Sequence, residues 1–120
     1  ASLQMSAVLA TEGQYEPAQA PLQWVIKNGE PENQGVARLR LADLQMQLNQ
    51  KDAALQTLST SVEKFEAAFA AKKSDIYMVS GELDQAKTAL NEALAEAKKA
   101  SPANMLAVDA LESKLKLLPQ

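Results

Sequence analysis

Apolar residues recur in this chain at helical intervals. Leu3, Met5, Val8 and Leu9 open the first such run, and Leu106, Val108, Leu111, Leu115 and Leu118 form the last. Spacings of three and four place side chains on one stripe of an α-helix. The pattern, with its Gly, Pro and Asn interruptions, predicts a succession of helices. Helix 1A runs from the first residues to about Glu12, and 1B from about Glu16 to Lys27. A loop follows over Asn28-Gly29-Glu30-Pro31-Glu32-Asn33, because Gly and Pro both stop helices. Helix 2A covers about Gln34 to Leu48 and 2B about Asp52 to Val62. Helix 3A covers about Lys64 to Ser80 and 3B about Leu83 to Lys99. Ser101-Pro102 reads as a cap and first turn, starting a last helix that ends near Leu118. Pro21 falls inside 1B, where a missing donor and a clash with the preceding turn predict a kink or a late start.

Three of the interruptions align. Gly13-Gln14-Tyr15-Glu16-Pro17-Ala18, Asn49-Gln50-Lys51-Asp52-Ala53-Ala54 and Gly81-Glu82-Leu83-Asp84-Gln85-Ala86 begin 36 and then 32 residues apart. Four residues after each final Ala comes Leu22, Leu58 or Leu90, and four further on Ile26, Val62 or Leu94. Seven residues before each loop stands a small residue, Ser6, Ala42 or Ser74. This is the spacing of tetratricopeptide repeats, and it has a mechanical reason. Two helices of a hairpin approach closely at one crossing, so Ser6, Ala42 and Ser74 should face Ala18, Ala54 and Ala86. Gly or Asn at the turn takes the left-handed conformation that ends the first helix. An acidic residue at the start of the second helix suits the positive end of its dipole. The predicted fold is therefore all-α. It is a tetratricopeptide-like solenoid of about three helical hairpins in a single domain over 1–120, closed by a C-terminal capping helix.

Composition supports this and narrows the function. Ala, Leu and Gln number 22, 17 and 11, against only 12 Val, Ile and Thr together, a bias toward helix. There is no His and no Cys, which excludes thiol nucleophiles, Ser-His triads and disulfides and argues against zinc. A net charge of −3 makes a poor nucleic-acid binder. No stretch approaches the roughly 20 apolar residues that span a bilayer. No convergent polar set suggests catalysis, and no cofactor is expected. The chain opens on Ala1 with helical pattern already running, so the expectation is a soluble fragment of a longer, N-terminally anchored protein.

The segment Gly35 to Leu58 resembles the central repeat of the YfgM-like proteins, ancillary subunits of the bacterial SecYEG translocon. The matching residues are the Leu39-Arg40-Leu41-Ala42 run, then a short loop, then Ala53-Ala54-Leu55-Gln56-Thr57-Leu58. Ala1-Ser2-Leu3 also resembles the family's opening. Where that family has Gly and then an acidic residue in its third repeat, this chain has Ser74-Asp75, and Glu63 to Lys73 is more polar and Ala-rich. The resemblance implies an upstream transmembrane helix in the bacterial inner membrane and a repeat domain facing the periplasm. It implies a scaffold that links the translocon to periplasmic chaperones and exported chains. The repeats alone fit an adaptor in an unrelated pilus, outer-membrane or cytoplasmic assembly equally well.

In this repeat type the first helix of each hairpin lines the concave face. Equivalent positions there are Ala7, Asp43 and Asp75, with Ala10, Met46 and Met78 three residues on, and Leu39 and Ala71 one turn before. Leu39, Asp43, Met46, Ala71, Asp75 and Met78 are the candidate partner-binding residues. Met offers adaptable contacts. The alternative is that both Met are core and both Asp simply solvated. Glu63 and Glu66, three apart on a predicted helix, read as a solvated face. Lys98-Lys99 suits a helix C-terminus. Trp24, the only Trp, is expected in the core or as a wedge between repeats, with a binding hot spot the alternative. The stripe from Leu106 to Leu118 either caps the solenoid or dimerises.

Overall fold

The computed structural model describes residues 2–99 and 105–118. Among them lie seven α-helices and no strand: α1 (Ser2–Thr11), α2 (Tyr15–Asn28), α3 (Pro31–Gln47), α4 (Lys51–Thr57), α5 (Glu66–Val79), α6 (Leu83–Lys99) and α7 (Met105–Leu117). They gather into two compact units, residues 1–62 with α1 to α4 and residues 63–120 with α5 to α7. The expected start signal at Ser101-Pro102 lies outside the described residues.

The three predicted turns are built alike. Gly13, Asn49 and Gly81 take φ of +78°, +63° and +76°. After each, the next amide donates back to a carbonyl five residues earlier: Gln14 to Leu9 at 2.8 Å, Gln50 to Gln45 at 2.7 Å and Glu82 to Tyr77 at 2.8 Å. The turn residue's own amide donates to Ala10, Met46 or Met78. This pair of bonds satisfies the orphaned carbonyls of a helix end and requires one left-handed residue. The second helix then starts the same way each time, with Ala18, Ala54 and Ala86 donating to Gln14, Gln50 and Glu82.

Small residues meet at the crossings. Ser6, Ala42, Ser74, Ala18, Ala54 and Ala86 are all buried, and the Ser6 hydroxyl donates to the Ala18 carbonyl at 2.9 Å. In the first unit α2 lies between α1 and α3. Ala18, Leu22 and Val25 of α2 form one core with Ala37, Leu41 and Leu44 of α3. The Arg38 guanidinium donates to the Thr57 carbonyl at the end of α4 (2.9 Å). In the second unit α5 and α6 form the hairpin and α7 packs chiefly on α6. Val108, Leu111 and Leu118 join Ala70, Leu90, Ala93, Leu94 and Ala97 in its core. The α7 stripe thus covers its own hairpin. Leu106 departs from it, with 84% of its surface exposed.

Three expectations are corrected. The loop after α2 shrinks to Gly29-Glu30, because Pro31 begins α3, where a missing N–H costs no helical bond. Of the kink or late start expected at Pro21, the late start does not occur: helix α2 begins at Tyr15 and continues through Pro21. Helix α4 stops at Thr57 rather than Val62. The Thr57 hydroxyl lies 2.9 Å from the Ala53 carbonyl and 2.7 Å from Gln45 Oε1, and Ser59 donates back to Leu55 at 2.8 Å. Such back-bonding competes with the helix in this Thr- and Ser-rich stretch. A left-handed Lys64 then turns the chain into α5.

Candidate partner-binding surfaces

On α3, Leu39, Asp43 and Met46 stand one and two turns apart on a single stripe, as spacings of four and three require. Asp43 is exposed, while Leu39 and Met46 are half-buried. The stripe combines a carboxylate, a thioether and an aliphatic side chain, suited to a partner that is apolar with a polar or basic edge.

On α5, Ala71, Asp75 and Met78 form the equivalent stripe, and here α7 intervenes. Ala71 is half-buried against the core that α7 completes. Asp75 Oδ1 accepts from the Lys114 ammonium at 3.4 Å, with both side chains nearly half exposed. Met78 remains 38% exposed, its sulfur 4.0 Å from the Ser74 hydroxyl. Neither Met46 nor Met78 belongs to the buried core.

Other residues take different places. Trp24, expected in the core or as a wedge, is 59% exposed. The reason is register: Leu22 and Val25 occupy the packed side of α2, and Trp24 points away from it. Glu63 lies in the turn before α5 and Glu66 is its first residue, so the two do not share a helical face. Lys98 and Lys99 occupy the last turn of α6, as the dipole favours.

Two surfaces escaped the sequence reading. One is a groove of about 280 Å³ between α5 and α6, lined by Lys73, Tyr77, Asp84, Thr88 and Glu92 among others. The other is the exposed apolar pair Met5 and Val8 on α1. The signal for the second was present in the repeat register, which sets Met5 and Val8 against Leu41 and Leu44 of α3. Among the described residues no helix is long and apolar enough to cross a membrane.

Over residues 1–120 the chain matches the family described as "Tetratricopeptide repeat-like domain". No curated protein matches it in sequence. Among solved structures it is similar to PcrH from Pseudomonas aeruginosa, with TM-score 0.74 and 19% identity, covering 96% of this chain and 86% of that one. It is similar to the same degree to PcrH in complex with the chaperone binding region of PopD, with TM-score 0.72, 19% identity and the same coverage.

Proposed function

Because the chain belongs to the tetratricopeptide repeat-like family, we propose that it is a non-catalytic scaffold that binds segments of partner proteins. The observation that carries this reading is the recurrence of an Asp and a Met at one register in two hairpins, Asp43 with Met46 and Asp75 with Met78. In both hairpins the carboxylate reaches the surface and the thioether is left outside the core. A core residue would be buried, and a merely solvated face has no need of Met. PcrH, which has this fold, is a precedent in that it has been crystallised with a segment of PopD.

The resemblance of Leu39-Arg40-Leu41-Ala42 and Ala53-Ala54-Leu55 to the YfgM-like central repeat supplies the finer reading. The scaffold then stands on the periplasmic side of the bacterial inner membrane, beside the SecYEG translocon. Its partners are translocon subunits, periplasmic chaperones or exported chains.

Photo-crosslinking in cells tests both levels. A photoreactive residue replaces Asp43 or Met78, with exposed Lys87 as control; Asp75 is avoided because it holds Lys114. Adducts with translocon subunits, chaperones or exported chains from the first two sites, and not from Lys87, are expected. The same adducts from Lys87 alone would keep the partners and discard this stripe. Adducts only with proteins of another assembly would discard the translocon reading and favour the adaptor one.

A further inference from the structure

The apolar and small positions of α7 fall on two sides of the helix. Val108, Leu111, Leu115 and Leu118 serve the core of the second unit. Leu106, Ala110, Ser113 and Leu117 do not. They follow one another at spacings of four, three and four, the spacing of a coiled-coil seam. All four are exposed, Leu106 by 84% and Leu117 by 82%. Positions 106 and 108 lie about 200° apart around the helix, so the seam faces away from the buried side.

The seam matches itself. It reads Leu, Ala, Ser, Leu, with large residues at the ends and small ones in the middle. A two-fold axis across α7, midway between Leu111 and Glu112, turns the helix end for end. It sets Leu106 against the partner's Leu117 and Ala110 against the partner's Ser113. Ser against Ala is the pairing that already brings helices close in this chain, at Ser6 with Ala18 and at Ser74 with Ala86. The charges at the edges match as well. Asp109 and Lys116, both exposed, flank the seam on one side, and the axis sets each opposite the other. Neither side chain is ion-paired among the described residues. On the other flank Lys114, held by Asp75, meets the partner's Ala107. No like charges stand opposite one another.

We propose that α7 is a self-association surface, on which a second copy of this chain lies antiparallel along Leu106, Ala110, Ser113 and Leu117. In a two-fold interface every contact occurs twice, so a self-pairing surface has to be complementary to itself. Docking of an unrelated helix, or of another segment of this chain, sets no such condition. The palindrome of sizes and the opposed charges are therefore what point to the second copy. The seam is about 16 Å long. A stretch that short buries less than the roughly 800 Å² per partner of a standard interface, so the dimer is weak and forms with concentration.

Sedimentation equilibrium of the full chain, from about 10 μM to 1 mM, tests this. A reversible monomer–dimer equilibrium is expected. Asp109→Lys should weaken it about fivefold or more, because it sets Lys against the partner's Lys116 at two symmetric places. Adding Lys116→Asp should restore it, which a loss of folding would not allow. Leu117→Ser should also weaken it, with no change of charge. The chain has no Cys, so introduced thiols report direction. In an equimolar mixture, Leu106→Cys and Leu117→Cys chains should form mixed disulfides between positions 106 and 117.

A chain that stays monomeric at the highest concentration would overturn the proposal. So would a dimer as strong in Asp109→Lys or Leu117→Ser as in the unsubstituted chain, which would place it on another face. Disulfides between like positions alone would mean parallel pairing and overturn it too. An unreactive thiol in Leu106→Cys, in the monomer, would show the seam covered by another segment of the chain and overturn it as well. None of these readouts uses Asp43 or Met78, so scaffold and self-association surface fail separately.

Discussion

At Gly29 a single added methyl does harm out of proportion to its size. A Cβ there would stand 2.7 Å from the Val25 carbonyl oxygen and 3.0 Å from a Val25 methyl. The same carbonyl accepts the Gly29 amide at 2.7 Å, so neither side is free to give. Gly13 and Gly81 are constrained differently. An added Cβ meets nothing within 4 Å at either, but both hold positive φ. Gly13→Ala and Gly81→Ala should therefore cost about 1–2 kcal/mol each, from backbone conformation alone. Gly29→Ala should cost about 1–3 kcal/mol through steric displacement of the α2 end. Urea unfolding of the three variants checks this. Near-equal losses at Gly13 and Gly81 would support the conformational account, and an unchanged Gly29→Ala would refute the steric one.

At the scale of elements, α7 separates packing from charge. Leu111 is buried in the core shared with α6, whereas the Lys114 to Asp75 pair is close to half exposed. An exposed pair held in water contributes little, with a median near 0–1 kcal/mol. A buried Leu truncated to Ala costs about 2–5 kcal/mol. Leu111→Ala should therefore destabilise strongly, while Lys114→Ala shifts the midpoint barely and less still in high salt. Chemical denaturation at two salt concentrations separates the two effects. A Lys114→Ala loss matching that of Leu111→Ala would make the ion pair, not the apolar stripe, the anchor of α7. Helix α4 shows the opposite balance: its apolar spacing continued to Val62, but side-chain oxygens captured backbone carbonyls and ended it at Thr57.

At the scale of the whole molecule, each principal core cluster lies within one compact unit. Leu22 anchors the first and Leu90 the second, both fully buried. Substitutions with no shared partners add to within about 0.3–0.5 kcal/mol. Leu22→Ala and Leu90→Ala should thus add in the double variant, each costing about 2–5 kcal/mol. A coupling well above 1 kcal/mol in a double-mutant cycle would reveal cooperation that the separate cores do not predict.

The repeats were legible because their determinants are local. A left-handed Gly or Asn, a small residue seven positions before it and an Ala five positions after it each act through the nearest turn or crossing. The chain read alone therefore placed three hairpin turns and the buried small residues. It also placed Asp43 and Met46, and Asp75 and Met78, at one register. Solvent contact is not local, and there the tertiary structure decided. Trp24 looked like core by residue type, yet Leu22 and Val25 turned it outward. Met5 and Val8 have the same register as Leu41 and Leu44, but only the latter have a neighbouring helix packed on them. Asp75 matched Asp43 in sequence, but that a Lys 39 residues away, carried on α7, would donate to Asp75 was not readable from the repeat register. Periodicity determines which side of a helix a residue occupies. Which neighbour covers that side follows from contacts between distant segments, and local spacing does not encode them.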